Sequence, residues 1–217
     1  MKAALRGVAA CAAFAAAANA WAGEGDSSGR RVSRPEKPSW EFGVTAYPTS
    51  VRGGENYTVG IAAADRGPLH LEARYNYEGI GARSAFVGWT FSGGEALKWE
   101  LTPMIGGVRG TTQAFVPALE ASLAWNRLDF YIEGESVRDR NTQTDSYRYA
   151  WSELGFKAAE WLRLGAAAQR TRAYGGEREM QRGPFAQATW GRATFGAYWF
   201  NPGSSEQVFV ASIGAKF

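Results

Sequence analysis

The chain has 217 residues, of which 24 are Lys or Arg, 21 are Asp or Glu and one is Cys, and its formal net charge is +3. Charge this close to balance predicts no strongly basic surface for nucleic acid. A single cysteine, Cys11, excludes an intramolecular disulfide and a metal site built from several cysteines.

The N-terminal segment, 1–22, has the pattern of a secretory signal peptide. Two basic residues precede an apolar, alanine-rich run, and a small-residue pattern, Ala-Trp-Ala, closes it. Such a pattern predicts cleavage after Ala20 or Ala22. The mature protein is therefore expected to leave the cytoplasm.

The rest of the chain divides into an arm and one domain. Residues 23–39 are rich in Gly, Ser, Pro and charge and lack periodicity, which predicts a flexible periplasmic arm. Residues 40–217 are enough for a single folded domain. No run in that domain approaches about 18 apolar residues, so no transmembrane helix is predicted.

Apolar residues of the domain recur at every second position, which is the period of a β-strand with two different faces. In PLHLEARYNY, 68–77, apolar residues alternate with His70, Glu72, Arg74 and Asn76. The turn signals between such runs predict twelve strands, at about 40–48, 56–65, 68–78, 83–92, 96–107, 113–126, 128–138, 145–158, 161–172, 181–191, 193–201 and 206–217.

One segment, WSELGF at 151–156, breaks this alternation. The pattern would place both Trp151 and Leu154 on the outward face, although they are three residues apart. A bulge at Ser152 or Glu153 is the simplest repair, so we predict one there.

The connections between the predicted strands are of two alternating kinds. Those after even-numbered strands are tight, such as NR at 126–127, whereas those after odd-numbered strands are longer and polar, such as RDRNTQTDS at 138–146. Short turns at one rim and longer loops at the other, on an even number of antiparallel strands, are typical of an outer-membrane barrel.

Aromatic residues are sorted between the two ends of the predicted strands, as in the two girdles of a membrane barrel. Those near the tight turns are Trp40, Trp89, Trp99, Trp125, Trp161 and Trp190. Those toward the loops are Tyr47, Tyr57, Tyr75, Tyr77, Tyr147, Tyr149, Tyr174 and Tyr198. A secreted β-sandwich or lipocalin-like barrel would also alternate, with its apolar face inward, but has no reason to sort aromatic residues in this way.

The last segment, QVFVASIGAKF at 207–217, alternates to its final residue, with Phe209, Ile213 and Phe217 on one face. With these features the chain resembles a small, porin-like outer-membrane β-barrel of Gram-negative bacteria, and loosely the twelve-stranded oligosaccharide porins. The resemblance implies an all-β, closed antiparallel transmembrane barrel of about twelve strands in the cell outer membrane. It also implies that Phe209, Ile213 and Phe217 form the C-terminal signal read by the barrel-assembly machinery, with periplasmic chaperones holding the chain beforehand.

In such a barrel the apolar faces contact lipid and the polar faces line the lumen. The charged residues assigned to the lumen are His70, Glu72, Arg74, Lys98, Glu100, Glu120, Asp129, Glu133, Glu135, Arg148 and Arg163. Barrels of about eight strands are filled and those of about sixteen enclose a channel, so twelve strands fall between. We therefore predict a passive, narrow pore for small solutes, narrowed near its outer end by Val208 and Val210. The alternative is a structural or surface-binding barrel whose lumen is closed by a charged network.

His70 is the only histidine, so its surroundings indicate whether the barrel could be an enzyme with a catalytic histidine. The outer-membrane phospholipase and the lipid A deacylase pair a His with a Ser two positions along an outward strand, where this chain has Pro68 and Glu72. The omptin-type protease needs a His with several acids at the extracellular rim, whereas His70 lies at the periplasmic start of its strand. We predict no enzymatic activity, no cofactor and no metal site.

Arginines are frequent near the predicted outer rim, at Arg52, Arg83, Arg109, Arg138, Arg140, Arg172, Arg178 and Arg182. Guanidinium groups bind phosphates bidentately, so lipopolysaccharide phosphates or an anionic solute are candidate partners. The acids Glu55, Asp139, Asp145, Glu177, Glu179 and Glu206 share this rim and nearly balance it. A solvated surface of mixed charge is the competing interpretation.

Overall fold

The computed structural model describes residues 38–217. The predicted signal peptide and nearly all of the predicted arm lie outside these residues. The described chain contains one 3₁₀ turn, Gln143–Asp145, and no helix in it is long and apolar enough to cross a membrane. Its strands are β1 (Glu41–Val51), β2 (Tyr57–Arg66), β3 (Leu69–Tyr75), β4 (Arg83–Trp89), β5 (Phe91–Gly93), β6 (Leu97–Arg109), β7 (Ala114–Trp125), β8 (Leu128–Asp139), β9 (Tyr147–Ala159), β10 (Leu162–Ala173), β11 (Arg178–Trp190), β12 (Ala193–Phe200) and β13 (Val208–Lys216).

These strands form one antiparallel sheet that closes on itself. Consecutive strands pair along the wall, β4 pairs with β6, and β1 pairs with β13. Only Thr90 separates β4 from β5, and both pair with β6, so they are two parts of one barrel strand. The wall built by residues 41–216 thus has twelve strands, and the predicted all-β, closed antiparallel barrel is confirmed.

The connections alternate between short and long, as predicted. Only Asn126 and Arg127 join β7 to β8, and Asn126 has a φ of 55°, the left-handed conformation that tight hairpin turns require and asparagine tolerates. At the opposite end the connections are longer, as at 76–82 and 140–146. We call these two ends the turn rim and the loop rim.

The barrel closes where β13 meets β1. Their register runs from Gly43 opposite Lys216 to Val51 opposite Val208. At the turn rim, Phe42 and Phe217 exchange two backbone hydrogen bonds of 2.8 and 2.9 Å, and their rings stack with centroids 6.3 Å apart. Pairing the outermost strands with each other satisfies their backbone groups, which a barrel in lipid requires.

The outward face of the barrel is apolar. Phe209, Ile213 and Phe217 on or beside β13 are each about half exposed, as are outward side chains of most other strands. The six tryptophans predicted for the turn-rim girdle, Trp40, Trp89, Trp99, Trp125, Trp161 and Trp190, are all exposed near that rim. Apolar exposure over the whole wall suits contact with lipid rather than with water.

The second predicted girdle, made of tyrosines near the loop rim, is wrong. Tyr75 and Tyr174 are exposed. Five others, Tyr47, Tyr57, Tyr77, Tyr149 and Tyr198, are at most 9% exposed and lie inside the barrel. The apolar bodies of these side chains pack against one another across the lumen, a contact that strand periodicity does not reveal.

The predicted bulge in WSELGF is also wrong. The pairing of β9 with β8 and with β10 continues through 151–154 without a shift, and the alternation continues with it. Trp151 therefore points inward and is fully buried, whereas Leu154 points outward.

Candidate functional site

Inward side chains fill the lumen in two layers. The charged layer lies in the middle and toward the turn rim, and the aromatic layer lies toward the loop rim. The charged layer comprises His70, Glu72, Arg74, Glu120, Asp129, Glu133, Glu135, Glu153 and Arg163. The aromatic layer comprises Tyr47, Tyr57, Tyr77, Tyr149, Trp151, Phe185, Tyr198 and Phe200, together with Val208 and Val210.

Most of the residues assigned to the lumen from the sequence lie in the charged layer. Lys98 and Glu100 lie near the turn rim and are half-buried. Arg148 differs from the prediction, because it is exposed on the outward face of β9 while its neighbour Tyr149 points inward. Glu153 was not among the residues predicted for the lumen, although alternation counted from the outward Leu154 would have placed it there.

Arg74 is the centre of one network in the charged layer. From β3 its guanidinium pairs with Glu72 on the same strand and reaches across the lumen to β8, where Nη1 lies 2.9 Å from Glu133 and 3.2 Å from Glu135. The guanidinium carbon also lies 4.1 Å from the ring centroid of Tyr77. Because β3 and β8 are not neighbours, these contacts tie separate parts of the wall together.

Arg163 on β10 is the centre of a second network. Its guanidinium pairs with Asp129 on β8, and Nη1 donates to Glu153 at 2.5 Å and to Gln187 at 2.7 Å. Tyr198 in turn donates its hydroxyl proton to Glu153 at 2.9 Å. This second network therefore connects the charged layer to the aromatic layer.

His70 lies on the turn-rim side of the charged layer. Its Nδ1 is 2.7 Å from a carboxylate oxygen of Asp65, and its Nε2 is 3.8 Å from Glu72. Glu120, on β7, contributes a third potential ligand atom, and the three atoms of His70, Glu72 and Glu120 all lie within 4.8 Å of one another. All three residues were predicted to line the lumen, but their proximity to one another was not predicted.

Trp151 is the largest side chain of the aromatic layer and is fully buried. Its ring contacts Tyr198 and Phe200 edge-on, with centroids 5.3 and 5.2 Å away on β12. Val208 and Val210 belong to the same packed cluster, at the position where the sequence predicted a narrow lumen. Contact between β9 and β12 through these rings constricts the lumen on its loop-rim side.

The 76–82 loop folds into the same constriction. Tyr77 and Glu78 are buried, and the Tyr77 ring meets that of Tyr149 edge-on at 6.0 Å. Ser84 donates a hydrogen bond of 2.6 Å to the Glu78 carboxylate, and Tyr147 donates one of 2.9 Å to the Glu78 carbonyl. Burial raises the pKa of the Glu78 carboxyl group.

Outward positions near the loop rim carry arginines in place of the expected tyrosines. We call this set the arginine belt: Arg83, Arg109, Arg138, Arg148, Arg170, Arg172, Arg178 and Arg182. Arg172 lies directly between Arg148 on β9 and Arg178 on β11, as a row of three like charges. The nearest carboxylates in the described strands, Asp139 beside Arg138 and Glu179 beside Arg178, occupy the alternate positions, whose side chains leave the opposite face of the strand.

No protein-family model matches this chain, and no curated protein matches its sequence. Among solved structures, the KdgM porin is similar with a TM-score of 0.61 and 8% identity over 81% of this chain and 99% of that one. The KdgM porin in complex with disordered oligogalacturonate gives a TM-score of 0.62 and 6% identity, with the same coverage. At these identities the comparison shows a shared fold, that of a porin-like outer-membrane β-barrel.

Proposed function

We propose that this protein is an outer-membrane barrel that acts as a narrow, passive pore for small solutes. The observation that carries the proposal is the charged layer, because a lumen lined by ionisable side chains is how barrels of this kind set selectivity. The porin-like fold supports it. In this proposal the aromatic layer restricts permeation to solutes small enough to pass when its side chains move.

The charge of the lumen indicates which solutes would pass. Two arginines, Arg74 and Arg163, face a larger set of acids in the charged layer: Glu72, Glu120, Asp129, Glu133, Glu135 and Glu153. An excess of carboxylates favours cations over anions in a narrow pore. A complex with oligogalacturonate is known for the KdgM porin. For this chain we propose small cations or neutral solutes instead.

A planar bilayer measurement tests this proposal. We expect purified protein to give discrete steps of low conductance and, in a salt gradient, a reversal potential that shows cation preference. Anion preference would contradict the assigned lumen charge. Silence from a barrel that is folded, as judged by heat-modifiable migration, would contradict the pore itself.

A second candidate function is a structural or surface-binding barrel with a closed lumen. The packing of Trp151 against Tyr198 and Phe200 favours it, because these buried rings join strands that are not neighbours. In that case the bilayer measurement gives silence, and the loops and the outward face carry the function.

We also propose that the arginine belt binds phosphate groups of lipopolysaccharide in the outer leaflet. Adjacent like charges repel unless an anion lies between them, and guanidinium groups bind phosphate bidentately. Beside Arg148 and Arg170, a groove of about 530 Å³ is lined by Leu119, Gly134 and Ala150, which suits an acyl chain.

Outward Phe209, Ile213 and Phe217 are the residues we assign to recognition by the assembly machinery.

The lipid proposal predicts the behaviour of a triple variant. Replacing Arg148, Arg172 and Arg178 by Gln should weaken binding of lipopolysaccharide at least tenfold, a loss of about 1.4 kcal/mol, as measured by native mass spectrometry of detergent-solubilised protein. Dephosphorylated lipopolysaccharide should bind weakly to both proteins.

The matched control replaces three exposed arginines near the turn rim, Arg66, Arg127 and Arg192, by Gln. This control should bind lipopolysaccharide as the wild type does. Equal losses in the two triple variants would show that net charge, rather than the arginine belt, determines the affinity.

A further inference from the structure

Three side chains of metal-binding types lie close together in the charged layer. His70 and Glu72 are on β3, and Glu120 is on β7. Potential ligand atoms of His70, Glu72 and Glu120 lie within 4.8 Å of one another, and all three residues are buried. Glu120 is on a strand that does not neighbour β3, so barrel closure is what brings the three together.

Only one of the two ring nitrogens of His70 makes a hydrogen bond. Nδ1 is 2.7 Å from the carboxylate of Asp65, which fixes the orientation of the ring. Nε2 is buried, has no hydrogen-bond partner among the described residues and points toward Glu72, at 3.8 Å; the His70 side chain is only 8% exposed. A buried nitrogen that makes no hydrogen bond is costly unless a ligand occupies it.

The carboxylates of the cluster are also incompletely neutralised. Arg74 pairs with Glu72, Glu133 and Glu135 but not with Glu120. Glu120 lies directly opposite Glu133 across the β7–β8 pair, and both face the lumen. Two buried carboxylates side by side repel each other, and either a proton or a cation at Glu120 relieves that repulsion.

We propose that His70 Nε2 and the carboxylates of Glu72 and Glu120 bind one divalent metal ion of the zinc type. Zn²⁺ takes imidazole nitrogen and carboxylate oxygen at about 2.0–2.2 Å, usually in tetrahedral geometry. A water molecule completes the coordination. Ligand atoms at that distance from a tetrahedral ion lie about 3.3–3.6 Å from one another. The 3.8 Å between His70 Nε2 and Glu72 Oε2, and the separations of up to 4.8 Å within the cluster, must therefore shorten when the ion binds.

The surroundings of the three ligands fit the same assignment. Glu72 binds Arg74 through Oε1 and so leaves Oε2 for the metal. Asp65 holds the second nitrogen of His70, the arrangement in which metal-binding histidines are usually found. The Asp65 side chain is 46% exposed at the end of β2, so the cluster lies beside the turn rim, from which an ion can enter.

No metal site was predicted from the sequence because Glu120 is far from His70 and Glu72 along the chain. His70 and Glu72 are two positions apart on one strand, but one imidazole and one carboxylate are too few ligands. Glu120 comes from a different hairpin, and nothing in its local sequence relates it to His70. The site is therefore a consequence of the closed fold and does not depend on whether the lumen conducts.

Zinc binding to the purified protein tests the proposal directly. The protein must lack a polyhistidine tag, because His70 is its only histidine and a tag would dominate the signal. After treatment with EDTA and its removal, Zn²⁺ is titrated in detergent against a chromophoric chelator. We expect one Zn²⁺ per chain.

Variants of the cluster should lower the affinity in a graded way. His70→Ala and Glu120→Gln should each lower it at least about 100-fold, whereas Asp65→Asn, which removes only the group that orients His70, should lower it about 10- to 100-fold. The matched control is Glu100→Gln, a half-buried lumen carboxylate outside the cluster, which should bind Zn²⁺ as the wild type does.

Two results would overturn the proposal. One is the absence of stoichiometric Zn²⁺ binding to the wild type, and the other is unchanged affinity in both His70→Ala and Glu120→Gln. If a variant does not fold, X-ray absorption of the zinc-loaded wild type still decides the question. It must show a shell of nitrogen and oxygen with a single imidazole, and a shell without imidazole would rule the site out.

Discussion

Replacing Trp151 by Ala is expected to raise the single-channel conductance several-fold in a planar bilayer. Trp151 is fully buried in the aromatic layer, where it joins β9 to Tyr198 and Phe200 on β12. Removing the indole takes away the largest of the side chains that constrict the loop-rim half of the lumen. If the wild type is silent, discrete conductance should be seen in the variant.

The control for this experiment is Trp199→Ala. Trp199 follows Tyr198 on β12 but faces outward and is 48% exposed, so its removal should leave the conductance unchanged. Truncating a buried tryptophan costs about 3–5 kcal/mol, so folding of both variants is checked by heat-modifiable migration. Wild-type conductance in a folded Trp151→Ala variant would show that the aromatic layer does not limit the pore.

Replacing Arg74 by Ala is expected to destabilise the barrel by about 3–5 kcal/mol, the usual cost of removing one partner of a buried ion pair. The variant leaves Glu72, Glu133 and Glu135 in the lumen without their guanidinium partner. It also removes the tie between β3 and β8. Urea unfolding in lipid vesicles, followed by tryptophan fluorescence, measures the loss in the free energy of unfolding.

Two further variants show whether the lost stability of Arg74→Ala comes from the buried ion pairs. Arg83→Ala removes an exposed arginine from the arginine belt and should change the stability by less than about 1 kcal/mol. Adding Glu133→Gln to Arg74→Ala should restore part of the stability, because one uncompensated carboxylate is removed. A loss of equal size in Arg74→Ala and Arg83→Ala would mean that the lumen network contributes nothing.

The strands could be predicted closely from the sequence, because their two faces meet different surroundings. For example, inward and outward side chains alternate along the strand predicted at 206–217, and the observed strand β13 extends over Val208–Lys216. The turns were predictable for a related reason: Asn126 adopts a conformation that few other residues tolerate. Both signals are local, so neighbouring residues are sufficient to detect them.

The contents of the lumen were less predictable. Alternation shows which residues share a face of a strand. It does not show which face contacts lipid when both faces carry aromatic residues, because an aromatic side chain is stable in lipid and in a packed interior. Tyr47 and Tyr198 were therefore assigned to a girdle and lie instead inside the barrel. Arg148 was assigned to the lumen because Tyr149 and Trp151 were placed on the outward face; since both rings point inward, Arg148 points outward instead.

Contacts across the lumen were not predictable at all. The reach of Arg74 to Glu133, and the approach of Glu120 to His70, depend on the diameter and the stagger of the closed barrel. Neither quantity is encoded in a single strand. The sequence therefore identified most members of the charged layer but not which of them are partners.

The seam between β1 and β13 has a consequence for how the barrel forms. The two strands that close the wall lie at opposite ends of the described chain, so their hydrogen bonds enclose every other strand in one loop. Contacts of such high sequence separation form slowly, and until they form two strand edges remain open to other chains. Closure should therefore be the late, rate-limiting step of folding, and aggregation competes with folding until β13 reaches β1.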